Sequence, residues 1–330
     1  MATKKARKYK KIAVLTSGGD SPGMNACIRA VTRGAMDRGA DVLGIKRGYT
    51  GLFTKNFVEL NSRTVANTIQ RGGTILESSR CEQMMTPEGR QIAAGILQDM
   101  GVEGLVVIGG NGSYRGAAAL SKETKTKVVG IPGTIDNDIY GTDYTVGFDT
   151  AINTALEAID RIRDTADAFE RVFFIEVMGR KSGFIALEVG IAGGAEEILI
   201  PEIHIEPEAL AMTLKESFDR GKRSSIVVIA EGNESGHTIQ IAQYIQYRLN
   251  LDCRVCVLGH LQRGGTPTAR DRVLGSRFGT AAVEGLFNGK NGHAVGEIGG
   301  EIVFTSLIES AEHKKSLDLL SLDAKRVLSL

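Results

Sequence analysis

Ile12-Ala13-Val14-Leu15-Thr16-Ser17-Gly18-Gly19-Asp20-Ser21-Pro22-Gly23 changes character halfway along its length. Residues 12–16 are an apolar run of strand length. They open directly into residues 17–23, where three glycines let the backbone approach groups that side chains would hold away. Beyond this loop, Ala26, Ile28, Ala30, Val31, Ala35 and Met36 cover one broad helical face until Gly39 stops the helix. The order is strand, glycine loop, helix. It recurs, with strands expected at residues 42–45, 105–108 and 128–131 and helices starting near Glu88 and Ser113. Apolar strands alternating with helices indicate an α/β fold with a parallel sheet covered on both faces.

A second α/β unit begins near residue 148. Asp149 is expected to cap a helix whose Ile152, Leu156, Ile159 and Ile162 face a core. Strands are then expected at residues 172–177, 198–200, 226–230 and 255–258, and Pro207 and Gly221 bracket a helix carrying Leu210, Leu214 and Phe218. Later helices are expected over residues 269–286 and 309–328. No Pro/Ser-rich linker separates the halves, so two lobes sharing a cleft fit better than beads on a string.

The 330 residues are enough for a core that divides in two. Lys plus Arg number 40 and Asp plus Glu 39, a net charge of +1 that gives no general field for wrapping nucleic acid. The longest apolar runs stop short of the roughly 20 residues a membrane helix needs, so no membrane partner is expected. Cys27, Cys81, Cys253 and Cys256 are too few to staple a chain of this length, which points to a reducing, cytoplasmic interior. Cys253 and Cys256 have half of a zinc spacing without a second pair, and are read as buried strand residues beside Val255 and Val257. Residues 4–11 carry six Lys or Arg and no apolar core of a signal peptide, so they read as a solvated extension.

In open parallel sheets, ligands collect beyond the carboxyl ends of strands, where helix N-termini present unpaired N–H groups. Residues 17–23, 109–113 and 132–138 match that location. None has the Walker lysine spacing or a clean dinucleotide fingerprint, which argues against a Rossmann dehydrogenase. In Pro132-Gly133-Thr134-Ile135-Asp136-Asn137-Asp138, two carboxylates one residue apart can place one against a hydroxyl while the other orients it. The same stretch read alone also fits an Asx-rich surface turn. Arg80, Arg171, Arg180, Arg254 and Arg263 lie near expected strand ends or loops, where guanidinium groups can clasp phosphate.

From about Lys11 onward the chain resembles bacterial-type ATP-dependent 6-phosphofructokinases. The resemblance rests on Leu15 to Asn25, Arg71-Gly72-Gly73-Thr74, the residues 132–138 quoted above, Glu176-Val177-Met178-Gly179-Arg180, and Leu258-Gly259-His260-Leu261-Gln262-Arg263-Gly264-Gly265. It implies two Rossmann-like three-layer lobes around a central cleft. Residues 1–147 plus 260–311 would form a larger ATP-binding lobe, and 148–259 plus 312–330 a smaller lobe for fructose 6-phosphate.

By this resemblance Asp136 would take the proton from the C1 hydroxyl of fructose 6-phosphate as it attacks the γ-phosphorus of ATP. Thr134 and Asp138 would position the reactants, and Arg80 and Arg180 would neutralise the transferring group. Met178, Gly179, Glu231 and Arg263 resemble sugar-reading positions. His260 with Arg171 and Arg254 resembles the 6-phosphate clamp, the two arginines reaching from a neighbouring subunit of a homotetramer. Gly19, Tyr49, Arg80, Cys81, Gly110, Asn111, Gly112 and Ser113 resemble nucleotide-side positions. Arg29, Arg33, Arg163, Arg220 and Lys222 resemble a pocket for ADP or phosphoenolpyruvate, with Glu196 as an effector-side metal ligand.

Two positions bear on the phosphoryl donor. Pyrophosphate-dependent relatives usually have Asp in the position of Gly112 and Lys in that of Gly133, so both glycines favour ATP. Asn111 departs from the family's usual Asp, which helps hold the Mg²⁺ that travels with ATP. An amide cannot supply that charge. A pyrophosphate-dependent enzyme and a catalytically weakened sugar-phosphate-binding subunit are the alternatives this leaves.

Overall fold

The computed structural model describes residues 9–166, 171–233 and 237–318. The basic residues before Tyr9 lie outside this set, as do residues 319–330 of the expected last helix and second lobe. The chain forms two compact units. One holds the residues up to Ile135, Ile139–Asp149 and Arg263–Lys315; the other holds Asp136–Asp138, Thr150–Gln262 and the residues from Ser316.

The first unit is built on seven strands: β1 (Lys11–Ser17), β2 (Asp41–Ile45), β3 (Phe57–Leu60), β4 (Gly104–Gly109), β5 (Lys127–Pro132), β10 (His293–Ile298) and β11 (Glu301–Ser306). Their order is β11-β10-β5-β4-β1-β2-β3. The inner pairs are parallel, as the alternation predicts, while β2–β3 and β10–β11 are antiparallel edges. β3 at one edge, and the β10–β11 pair at the other, carry charged residues among short apolar stretches, and the sequence pattern passes over them.

The residues of β1 alternate between the two faces of this sheet. Ile12 and Val14 pack with Cys27, Ile28 and Val31 of α1 (Met24–Asp37) and with Leu274, Phe278 and Ala282 of α9 (Ala269–Phe287). Ala13 and Leu15 pack with Leu97 of α3 (Pro87–Asp99) and with Tyr114, Ala117 and Leu120 of α4 (Asn111–Glu123). Helices therefore cover both faces. The short α2 (Thr50–Phe53) and α10 (Leu307–Glu312) complete the unit.

The second unit has four parallel strands: β6 (Arg171–Val177), β7 (Glu197–Leu199), β8 (Ser224–Ala230) and β9 (Asp252–Val257), in the order β7-β8-β6-β9. Val172, Phe174, Val227 and Ile229 pack with Leu210 and Leu214 of α7 (Pro207–Asp219) and with Ile241 and Ile245 of α8 (Thr238–Leu249). The remaining helices are α5 (Phe148–Ala166) and α6 (Phe184–Ala192). Among the described residues, no helix is long and apolar enough to cross a membrane.

Four local expectations are corrected. Asp149 lies inside the first turn of α5 rather than capping it, and the most buried stripe of that helix is Ala151, Ala155 and Ile159. The helix expected from Glu309 is α10, which ends when His313 turns to extended backbone (φ −74°, ψ 137°). On β9 only Cys253 is buried. Val255 and Val257 are 37% and 55% exposed because β9 is an edge strand. Burial and the nearby Asp252 carboxylate push the Cys253 thiol up to about 11. Finally, the basic extension is anchored at its end, since Tyr9 is buried with its ring 5.0 Å from that of Phe287.

Asp271, fully buried in the first turn of α9, accepts the Gly147 N–H through Oδ1 at 2.7 Å. The Thr268 hydroxyl caps the helix by accepting the Asp271 N–H at 3.3 Å and donates to Asp149 Oδ2 at 2.6 Å. Asp271→Ala leaves a buried N–H without its acceptor and is expected to cost about 1–3 kcal/mol of stability in urea denaturation. Asp271→Asn, which keeps an oxygen there, is expected to cost less; equal losses would show that the acceptor is not what matters.

Candidate active site

In the first unit the winding reverses at β1, with β2 on one side and β4 on the other. Ser17 pairs with Gly109, so the two strands end at the same level. The helices that follow, α1 and α4, cover opposite sheet faces and leave between them the crevice where α/β sheets take ligands. Gly23 precedes α1 with φ 99° and Gly110 precedes α4, neither bringing a side-chain cap to the first-turn N–H groups. Such N–H groups and the helix dipole together favour an anion.

Three bonds hold the crevice in shape. Ser113 Oγ donates to the Ser17 carbonyl at 2.9 Å, Ser78 Oγ to that of Gly18 at 2.6 Å, and Arg263 Nη1 to that of Asp20 at 3.2 Å. The Arg263 guanidinium lies where any side chain at Gly19 would have to go. Tyr49 is buried, and its hydroxyl donates to the Ser113 carbonyl at 2.9 Å; burial holds that phenol well above its usual range. Arg80 is exposed and Cys81 half-buried on the neighbouring loop. The Asn25 amide donates to the Arg71 carbonyl and accepts from Ile75 N–H, fixing the Arg71–Thr74 segment.

The loop after β5 starts from the same strand ends. Gly133 N–H donates to the Gly109 carbonyl at 3.1 Å, and Thr145 Oγ1 donates to the Thr134 carbonyl at 2.6 Å. Asp136 and Asn137 are each 4% exposed, and Asp138 is half-buried. Asn137 sits in the left-handed region at φ 52°.

In the second unit, the carboxyl ends of β6, β8 and β9 carry Met178, Gly179 and Arg180, then Glu231, then His260. Glu231 Oε1 accepts the Arg180 N–H at 2.8 Å, holding a left-handed turn in which Arg180 has φ 55°. Gln262, with no exposed surface, accepts the Met178 N–H at 2.8 Å. Ser182 Oγ lies 3.1 Å from the Asp136 carbonyl.

Arg171 and Arg254 stand apart from this cluster. Arg171 begins β6, the strand that ends at Val177, so roughly 20 Å of extended chain separates it from Met178. Arg171 and Arg254 both donate to Asp252 Oδ2, at 2.6 and 3.1 Å. The expected effector residues divide between the units. Arg29 and Arg33 lie on α1. In the second unit, Arg163 donates to the Gly193 and Gly194 carbonyls and Arg220 Nη2 lies 3.4 Å from Ser217 Oγ. Glu196 pairs with Lys222 at 3.5 Å and accepts the Ile226 N–H.

Sequence reasoning quoted Asn25 and Gln262 inside motifs without giving them a role, and passed over Ser182 and Thr145. Their only sequence signal is a polar side chain among residues that fold into the interior. Their partners are distant in the chain or on another loop.

The phosphofructokinase family model matches residues 11–286. An ATP-dependent 6-phosphofructokinase 1 from Thermus thermophilus is 57% identical over 321 residues, spanning 97% of this chain and 100% of its own. An ATP-dependent 6-phosphofructokinase from Cytophaga hutchinsonii is 52% identical over 319 residues, spanning 96% and 97%. The T-state structure of Pichia pastoris phosphofructokinase matches with TM-score 0.88 and 32% identity, over 99% of this chain and 37% of that longer one.

Tyr49→Phe deletes the hydroxyl that anchors the first turn of α4 and is expected to lower unfolding stability by about 1 kcal/mol. An unchanged denaturation midpoint would show that the bond contributes nothing to holding that turn.

Proposed function

The chain belongs to the phosphofructokinase family, and on that premise we propose that it transfers the γ-phosphoryl group of ATP to the C1 hydroxyl of fructose 6-phosphate. The products are fructose 1,6-bisphosphate and ADP. The observation that carries this reading is the loop after β5, which keeps the Asp136 carboxylate buried three residues beyond the hydrogen bond between Gly133 and Gly109 at the phosphate-loop strand ends.

Asp136 accepts the C1 hydroxyl proton as that oxygen bonds to the γ-phosphorus. The bond to the β–γ bridging oxygen breaks, and ADP leaves with its electron pair. Thr134 and Asp138 position the reactants. Arg80 and Arg180 screen the negative charge, and the N–H groups at Gly110, Asn111, Gly112 and Ser113 receive phosphate oxygens. Gly19 and Cys81 complete the nucleotide side, with Tyr49 acting through the Ser113 carbonyl. Met178, Gly179, Glu231, His260 and Arg263 read the sugar phosphate.

Magnesium enters as part of the MgATP substrate. Among the described residues no three His, Cys, Asp or Glu side chains converge as a metal cage, and the first side chain of α4 is the neutral Asn111. That donor set fits an ion carried mainly by phosphate oxygens. The donor reading is supported sterically at Gly133, where a Cβ would come within 2.9 Å of Ile108 Cγ2 and 3.1 Å of Met24 Cε. A lysine there would have to displace both. Gly112 faces open space, so the glycine leaves room for the nucleotide.

The separation of Arg171 from Met178 along β6 supports a site completed by a neighbouring subunit, and we read the assembly as a homotetramer. Arg29, Arg33, Arg163, Glu196, Arg220 and Lys222 are assigned to a regulatory pocket for ADP or phosphoenolpyruvate. Asn111 is the one observation favouring a second reading, a catalytically weakened subunit that binds sugar phosphate.

A donor and metal matrix tests the activity. ATP with Mg²⁺ is expected to yield fructose 1,6-bisphosphate and pyrophosphate to yield none. Asn111→Asp is expected to lower the Mg²⁺ concentration needed. Asp136→Asn should lower kcat by about 10²–10⁴ while fructose 6-phosphate still binds. Turnover with pyrophosphate alone reverses the donor, and sugar binding without product under any metal condition selects the weakened subunit.

Subunit sharing has its own test. Arg171→Ala and Glu231→Ala chains, each inactive, should regain activity when dissociated and reassembled together, because some hybrid interfaces pair an intact Arg171 with an intact Glu231. Mixtures no more active than their parts would place the whole sugar site within one chain.

A further inference from the structure

Ser182 lies between β6 and α6 with 6% of its surface exposed. Its N–H donates to the Gly179 carbonyl at 3.0 Å, closing the turn in which Gly179 has φ 140° and Arg180 φ 55°. Its Oγ is 3.1 Å from the Asp136 carbonyl and 3.0 Å from that of Gly179. A serine hydroxyl has one proton to give. Gly179 keeps the Ser182 N–H when the hydroxyl is removed, so what a hydroxyl deletion takes away is the tie to Asp136.

That carbonyl belongs to the peptide joining Asp136 to Asn137, whose φ is 52°. Left-handed backbone is disfavoured for residues with a side chain, although asparagine tolerates it better than most. Swinging the carbonyl away from Ser182 rotates Asp136 ψ and Asn137 φ together. A flip of that peptide alone moves the carbonyl and leaves the Asp136 Cβ in place, so what the Ser182 hydroxyl restrains is the main chain from which the carboxylate projects. The same serine closes the Arg180 turn, whose N–H is held by Glu231. One residue therefore joins the main chain that carries the carboxylate to the turn that carries the arginine.

We propose that Ser182 is a positioning residue for phosphoryl transfer, its hydroxyl tying the Asp136 main chain to the Gly179–Arg180 turn and so fixing where the carboxylate stands relative to the arginine. This rests on the reading of Asp136 as the base. Ser182 acts through that peptide rather than on substrate, so its loss falls on kcat and leaves both Michaelis constants nearly unchanged.

Steady-state kinetics of the full-length protein with MgATP and fructose 6-phosphate test this, with thermal midpoints measured alongside. Ser182→Ala is expected to lower kcat about tenfold and change either KM by no more than about twofold. Ser182→Cys, which keeps a weak donor of similar shape, should fall between alanine and serine. In an Asp136→Asn background, Ser182→Ala should cost no more than about a further twofold, because there is no carboxylate left to place. A lowered midpoint with unchanged kcat per folded site overturns the proposal, as does an undiminished loss in the Asp136→Asn background. A wild-type chain that makes no bisphosphate overturns the kinase reading and this inference with it; an active wild type matched by Ser182→Ala overturns this inference alone.

Discussion

The register of two parallel strands governs the first unit. Ser17 opposite Gly109 brings the ends of β1 and β4 to one level, and their helices then leave toward opposite faces of the sheet. If the helices covered the same face, the strand ends would be roofed and their N–H groups buried. With the winding reversed, two helix N-termini flank one crevice, and neither Gly23 nor Gly110 brings a side-chain cap to them. Ser113, Tyr49, Ser78 and Arg263 hold the surrounding backbone through its carbonyls.

The second unit uses a different device. The turns of its candidate site include backbone that most residues avoid, and buried or partly buried polar side chains hold them. Glu231 takes the Arg180 N–H, Gln262 the Met178 N–H, and Ser182 faces the Asp136 carbonyl. An ordinary net hydrogen bond is worth about 1 kcal/mol, comparable to the cost of one left-handed residue. Such turns therefore hold their shape by a narrow margin, and removing one polar group can redirect a functional side chain without unfolding the protein.

The parts of this architecture that obey local rules were legible in the sequence. Ile12 to Thr16 reads as a strand because it is apolar on both faces, and Gly23 marks the helix start because the turn there has φ 99°. Most of the inner strands of both sheets follow from the same rule. The β10–β11 pair does not, because its apolar residues are interrupted or flanked by His293, Glu297 and Glu301. The exposure of Val255 and Val257 was hidden for the complementary reason, since an apolar run does not say which strand lies at the edge. Quoted motifs brought Asp136, Arg180 and Glu231 into consideration. The residues that orient them depend on contacts across 46 to 84 positions, beyond any local pattern.

Charge gives β9 a further meaning. It carries Arg254 and, with Val255 and Val257, an exposed apolar stretch on an edge strand, an arrangement that invites another chain. Asp252 accepts hydrogen bonds from both Arg171 and Arg254, which draws the two guanidinium groups to one carboxylate. Within one chain that arginine pair lies at the far end of β6 from Met178. Brought against the sugar-reading end of a neighbour, it would meet a phosphate dianion. On the proposed reading, the exposed valines supply apolar cover for association and the paired arginines supply a reason for the sugar phosphate to bind there. Ligand binding and subunit pairing would then favour one another through the same strand.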